Sequence, residues 1–279
     1  MAAPAVDLWD DLLSCLDLRT VATEQNTVSC EARNQRLTYH RIFGGQLLAQ
    51  FICLASAAAP GKAVKSLHAL FPRAGDATEQ VRYDAQSLHS GSMFGTLTIT
   101  ALQSAGVIAV ATVSMHAAED GPDLQTVPDV PSLPGPEHNV TIDLLPWETR
   151  SAANLNSPQA EPPDYQLWMH IPPVCPEMSA PVTAYATDLT LIGTALRPLE
   201  GVSQQDAGKA FTSAVTSHTL WFHRTFQTGS WLLLRQHRPV VAHGRCFGRG
   251  DILTEDSSLT EDSSLVASFA QEAMLRFRQ

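Results

Sequence analysis

After Phe43-Gly44-Gly45-Gln46, apolar residues recur at three- and four-residue spacing: Leu47, Leu48, Phe51, Ile52, Leu54 and Ala55. That period predicts a helix, with the glycine pair at its entry and Pro60-Gly61 beyond its end. Four runs of strand character follow, at 64–71, 78–88, 93–103 and 107–115. Turn residues around 73–76, 90–91 and 104–106 separate them. The order then repeats. Val182, Tyr185, Leu189, Ile192 and Leu196 form an apolar stripe that predicts a helix over about 180–196, closed by Pro198, and strand-like runs follow near 210–224, 230–238, 240–254 and 264–275.

One helix followed by four strands, twice, implies an internal duplication. Local matches agree: Gly91-Ser92-Met93-Phe94-Gly95 lines up with Gly244-Arg245-Cys246-Phe247-Gly248, and Phe71-Pro72-Arg73 with Phe222-His223-Arg224. Between the copies, residues 119–164 carry nine of the eighteen prolines. Proline disfavours helix interiors and central strands, so this stretch reads as a bridge laid over the surface, with one short helical or extended piece near 142–147. The expected organisation is an N-terminal unit over 1–118, a linker over 119–164 and a C-terminal unit over 165–279. A tandem hexapeptide, TEDSSL at 254–259 and again at 260–265, reads as a lengthened hairpin turn. A four-stranded sheet with one apolar face needs a cover, and each predicted helix supplies one. Pairing the two sheets edge to edge would remove exposed edge strands and leave a seam for a long, partly apolar ligand.

Charge narrows the function. The chain has 279 residues and a net charge of -10, with 44% hydrophobic residues. An acidic chain is a poor nucleic-acid binder, and no apolar run reaches the roughly 18 residues of a membrane-spanning helix. The start carries acidic residues and no basic one, unlike a secretory signal. Five widely spaced cysteines without a CxxC pair fit a reduced, cytoplasmic protein. The low charge and apolar sheet faces imply self-association into a homo-oligomer.

The chain has no G-x-S-x-G elbow, Walker A sequence or dinucleotide-binding glycine motif, and no metal-type His or Cys spacing. His116–Gly121 spells H-x-x-x-D-G, an acyltransferase signature, but the enzymes that use it need a much longer chain. A different constellation carries weight. Asp188 falls within the second predicted helix, on or beside its apolar stripe, where an unpaired carboxylate would be costly. Gln271 interrupts an otherwise apolar strand. Hydroxyls cluster at 213–219. A carboxylate, an amide and a hydroxyl can together orient one water and take its proton, which suffices to hydrolyse an activated acyl group.

Arg41-Ile42-Phe43-Gly44-Gly45-Gln46, His218-Thr219-Leu220-Trp221-Phe222-His223-Arg224 and Ala267-Ser268-Phe269-Ala270-Gln271-Glu272 together resemble the acyl-CoA thioesterase II family. The resemblance covers about 20–118 and 165–276. It implies an α+β double hot-dog fold: two long central helices, each wrapped by an antiparallel β-sheet. It also implies hydrolysis of fatty acyl-CoA to free acid and CoA, without a metal, cofactor or covalent intermediate. Asp188 matches the family's Asp and Gln271 its Gln. The family's Thr or Ser falls on Val215, which cannot bind water. Thr216 is adjacent, but strand alternation turns it to the other face unless a bulge intervenes; Ser213 and Ser217 are further candidates. The arginines that usually follow the family's Gly-x-Ser-Phe stretch are replaced by Thr96, Leu97 and Thr98. Arg224, Arg235, Arg238, Arg245 and Arg249 form a basic segment suited to the phosphates of CoA. Arg224, Arg245 and Arg249, with Gly44 and Gly45, are the candidate substrate-binding residues. Val215 keeps a second reading open, a non-catalytic acyl-CoA binder or sensor. A hot-dog hydratase or dehydratase is a third, for which no suitable histidine is evident.

Overall fold

The computed structural model describes residues 7–39, 41–127, 129–255 and 263–278. It divides into two units. One comprises the chain to Glu119 with Asp143–Pro146 and Ala180–Tyr185; the other comprises Asp120–Ile142, Trp147–Ser179 and the chain from Ala186. Most of the proline-rich stretch thus packs with the C-terminal unit: Val127, Val130 and Leu133 lie against buried Trp168, Leu233 and Leu253. Most of the tandem hexapeptide lies outside the described residues.

The N-terminal unit opens with helix α1 (Leu8–Cys15), capped by the Asp7 side chain, and a hairpin of strands β1 (Arg19–Glu24) and β2 (Thr27–Ala32). None of these three was foreseen: the helix spans only eight residues, and β1 is exposed at every position and so carries no alternating pattern. Buried Asp11 ties α1 down, accepting from Arg33 Nη1 at 2.8 Å and from the Arg36 backbone N–H at 2.6 Å. Helix α2 (Gly44–Ala58) follows, as expected, and packs against strands β3 (Ala63–Leu70), β4 (Val81–Ser90) and β6 (Gly106–His116), with β5 (Phe94–Gln103) between the last two. The strand order is β1-β2-β4-β5-β6-β3, antiparallel throughout. Within the unit's core Gln46 Oε1 accepts from the Gln35 N–H at 2.9 Å, and Gln46 Nε2 donates to Asn34 Oδ1 at 2.9 Å. Gln50 Nε2 donates to the Cys15 carbonyl at 2.7 Å, and its Oε1 accepts from the Tyr83 hydroxyl.

The C-terminal unit repeats this plan. Strands β7 (Glu148–Arg150) and β8 (Tyr165–His170) precede helices α3 (Pro176–Thr187) and α4 (Leu191–Leu196). Strands β9 (Phe211–Phe222), β10 (Trp231–Ala242), β11 (Arg245–Thr254) and β12 (Leu265–Phe277) complete it. The order is β7-β8-β10-β11-β12-β9, position for position that of the first unit. Helix α4 packs against β10, β11 and β12. The break expected near residue 239 is not a turn. Arg238 adopts a positive φ of 53° and makes a bulge before Val240, so β10 runs on through Pro239. The chain reverses instead at His243-Gly244, whose φ values of 50° and 76° suit a two-residue hairpin. Among the described residues no helix is long and apolar enough to cross a membrane.

Candidate active site

The predicted helix over 180–196 is interrupted at its most interesting point. It begins earlier, with Pro176 in its first turn, and stops at Thr187; Asp188 is the C-terminal cap rather than an interior residue. Thr190 then takes φ 67° before α4 begins. A left-handed, β-branched residue costs of order 1–3 kcal/mol and persists only where its surroundings impose it. Here Gln236 on β10 does so. Its Oε1 accepts from the hydroxyls of Thr190 (3.1 Å) and Thr194 (2.6 Å), and its Nε2 donates to the Leu189 carbonyl at 2.9 Å. Gln236 is fully buried. It fixes the break, and the break leaves Asp188 at a helix end with its side chain only 4% exposed.

Across the sheet, His218 on β9 and Gln271 on β12 are register partners, and both are buried at 1% exposure. His218 Nδ1 lies 3.0 Å from Gln271 Oε1 and 3.9 Å from Asp188 Oδ1, and its Nε2 lies 3.0 Å from Thr187 Oγ1. Burial lowers the imidazole pKa to about 4, only partly offset by the Gln271 hydrogen bond, so the ring is neutral at physiological pH. Gln271 Nε2 is buried and has no hydrogen-bond partner among the described residues.

The hydroxyl question turns on one irregularity. The β9–β12 register jumps between Glu272 opposite Ser217 and Ala273 opposite Val215, leaving Thr216 as the extra residue of a bulge. Before the bulge, Phe211 and Val215 pack into the core with Ala273 and Leu275; after it, His218 and Leu220 are the buried residues. Counting back two from His218 therefore brings Thr216 onto the imidazole's face, and turns Ser217 away. Thr216 Oγ1 donates to the Glu272 carbonyl at 3.1 Å. Asp188 and Gln271 thus both approach His218, while Thr216 is held on the carbonyl of Glu272, the residue after Gln271.

The basic segment is already engaged. Arg224 bonds Asp123 through Nε at 3.0 Å and the Leu265 carbonyl through Nη1 at 2.7 Å. Arg235 sits 3.6 Å from Asp251, and Arg245 3.1 Å from Glu272. Arg249 lies over the Phe247 ring. Gln271 faces inward opposite Gly248, so alternation places Arg245 and Arg249 on the other face of the sheet. Gly44 and Gly45 open α2. At Gly45 any side chain would collide with the Tyr185 carbonyl and the Phe43 ring, so close packing alone requires this glycine. Sequence reasoning missed Thr187 and Gln236, and singled out His218 only within its motif. A polar residue at a buried strand position was the available signal for His218 and Gln236.

The duplicated helix-on-sheet plan is that of a hot-dog protein of unknown function from Alicyclobacillus acidocaldarius, at 16% identity and a TM-score of 0.71 over 96% of this chain and 98% of that one. The fold is a double hot-dog. Two family descriptions match the sequence: "Acyl-CoA thioesterase" over residues 153–274 and "Acyl-CoA thioesterase N-terminal domain" over 34–116. Acyl-CoA thioesterase 2 of Haemophilus influenzae is 27% identical over 98% of this chain and 99% of its own. The acyl-CoA thioesterase II TesB2 of Mycobacterium marinum is 27% identical, with a TM-score of 0.73 over 96% of this chain and 98% of that one. The chain belongs to the acyl-CoA thioesterase II family, hydrolases of acyl-CoA thioesters.

Proposed function

We propose that this chain hydrolyses fatty acyl-CoA by direct attack of a water that Asp188, Gln271 and Thr216 hold. The observation that carries the reading is a buried carboxylate and a buried amide with an unused N–H, both set against one neutral imidazole. Asp188 takes a proton from the water as its oxygen bonds to the thioester carbonyl carbon. Gln271 Nε2 donates a hydrogen bond to that oxygen, and Thr216 Oγ1 supplies a further polar contact. The tetrahedral intermediate collapses with loss of CoA thiolate. A thiol with a pKa of about 8.5 leaves readily near neutral pH, so its protonation by Asp188 can follow bond breaking. Arg245 and Arg249 act at longer range, raising the local concentration of the phosphate-bearing substrate. The five cysteines are free, which suits the cytoplasm, and the exposed apolar side chains of Val240, Val241 and Phe277 suit self-association.

Replacing Asp188 by Ala is expected to reduce thiol release from octanoyl-CoA by about 10²–10⁴-fold, the usual contribution of a general base. Undiminished turnover would remove Asp188 from the mechanism. The second reading, an acyl-CoA binder without turnover, is favoured by Val215. It would be selected by tight calorimetric binding of palmitoyl-CoA with no thiol released over hours.

A further inference from the structure

The imidazole at the centre of this site has no task in the mechanism above. It is nonetheless the side chain that both Asp188 and Gln271 approach. Its ring is stacked on Phe269 with an interplanar angle of 10°, which fixes the plane in which its two nitrogens act. Nδ1 faces the Gln271 carbonyl oxygen at 3.0 Å. An amide oxygen only accepts, so Nδ1 carries the hydrogen. A neutral imidazole has one such hydrogen, so Nε2 is an acceptor and the Thr187 hydroxyl, 3.0 Å away, donates to it. Turning the Gln271 amide over would set its N–H against the Nδ1–H, donor against donor.

We infer that His218 is a positioning residue for thioester hydrolysis: clamped by Thr187 in its Nδ1–H form, it holds the Gln271 amide in the orientation that leaves Nε2 free to donate toward the reacting water. The ring's neutrality serves the same end. An imidazolium 3.9 Å from Asp188 would pair with the carboxylate and weaken it as a base. The N-terminal unit supplies the contrast. Its β3–β6 ladder has the same bulge, between Val64 and Ser66, and then pairs Leu67 with Val113 where the C-terminal unit pairs His218 with Gln271. The frame does not need a histidine there to fold.

The inference rests on the reading of Gln271 as a donor in the reaction, and the experiment separates the two. Thiol release from octanoyl-CoA is measured for the full chain and for Gln271→Ala, His218→Leu, His218→Asn and His218→Gln, with folding checked by circular dichroism. Gln271→Ala should lower kcat about 100-fold, the scale of one lost preorganised donor. His218→Leu should do nearly the same, with KM changed by no more than about twofold, because the lost interaction acts on the transition state. Asparagine can offer an N–H where Nδ1–H stood, whereas glutamine reaches only toward the Nε2 side. His218→Asn should therefore restore kcat to within about tenfold of the parent and His218→Gln should not, the margin being that of a single hydrogen bond. Imidazole ¹⁵N resonances of the parent at pH 7 should report the Nδ1–H tautomer. Parental kcat in His218→Leu beside an inactive Gln271→Ala would overturn the inference and spare the site. Parental kcat in Gln271→Ala would overturn both. Should the leucine variant fail to fold, equal rescue by Asn and Gln, or an Nε2–H tautomer, would still overturn it.

Discussion

In the N-terminal unit, Val64 faces Met115, the ladder slips by one residue at Lys65, and Leu67 then faces Val113. In the C-terminal unit, Val215 faces Ala273, the ladder slips at Thr216, and His218 faces Gln271. The frame is the same to the residue, and only the side chains differ. Leu67 and Val113 gain from burial without condition. A buried His and Gln each cost about 1–3 kcal/mol unless hydrogen-bonded, so the second unit must supply Thr187 and the imidazole–amide contact to break even. The helices differ in the same sense. Helix α2 runs unbroken for 15 residues, whereas α3 stops at Thr187 and leaves Asp188 at its end. The buried amides add a finer contrast. Gln46 and Gln50 have both their oxygens and their nitrogens engaged, as structural amides should; Gln271 uses its oxygen only. The two units share one scaffold, and they differ in this polar pairing and in the helix that breaks beside it.

The strongest way to break the comparison is to erase the difference. The double substitution His218→Leu with Gln271→Val gives the C-terminal ladder the pair of the N-terminal one. Turnover should fall by about 10³-fold or more while the circular dichroism spectrum stays that of the parent. A double variant that hydrolyses octanoyl-CoA normally would mean that the chemistry lies elsewhere.

A second effect concerns stability. Burial holds His218 near 4 rather than 6.5. As pH falls through 6.5 the unfolded chain takes up this proton first, so stability declines between pH 6.5 and 4 and levels off below. The full loss is roughly 3 kcal/mol. Above pH 6.5 the residue is neutral in both states and contributes no slope. Urea unfolding at pH 7, 5.5 and 4.5 should show this component in the parent and lack it in His218→Leu. Parallel declines in both proteins would contradict it.

Thr216 tests whether the bulge matters for chemistry as well as for register. Thr216→Val removes the hydroxyl and keeps the shape; kcat should fall about 10- to 100-fold, with Thr216→Ser close to the parent. Equal activity in the valine variant would leave the bulge a purely structural feature shared with Lys65. The smallest expected change is at Arg245 and Arg249. Both lie on the far sheet face, and Arg245 is already paired with Glu272. The double alanine variant should raise KM by about two- to fivefold at low ionic strength and not at 0.5 M salt, with kcat unchanged. A large, salt-independent rise would mean direct phosphate contact.

The sequence made legible what hydrophobic period controls: α2, the four strands that follow it, and the repeat of that order. It did not show β1, whose exposed residues carry no alternating signal, nor the interruption after Thr187. That break depends on Gln236, more than 40 residues away, holding a strained Thr190. The expected apolar stripe through Leu189 and Ile192 hid it, because tertiary hydrogen bonds overrode local propensity. Asp188 and Gln271 were legible as polar residues in apolar surroundings. The displacement of Thr216 was legible only as a condition, since a bulge changes the facing of residues without changing their composition.

That extra residue is an insertion that the ladder absorbs locally, because the pairs on either side of it already alternate in step. Were Thr216 deleted, Val215 would adjoin Ser217 in unbroken alternation, still opposite Ala273, and Phe211 and Val215 would keep facing the core. For this strand, losing that one codon would take away a hydroxyl and spare the core behind it.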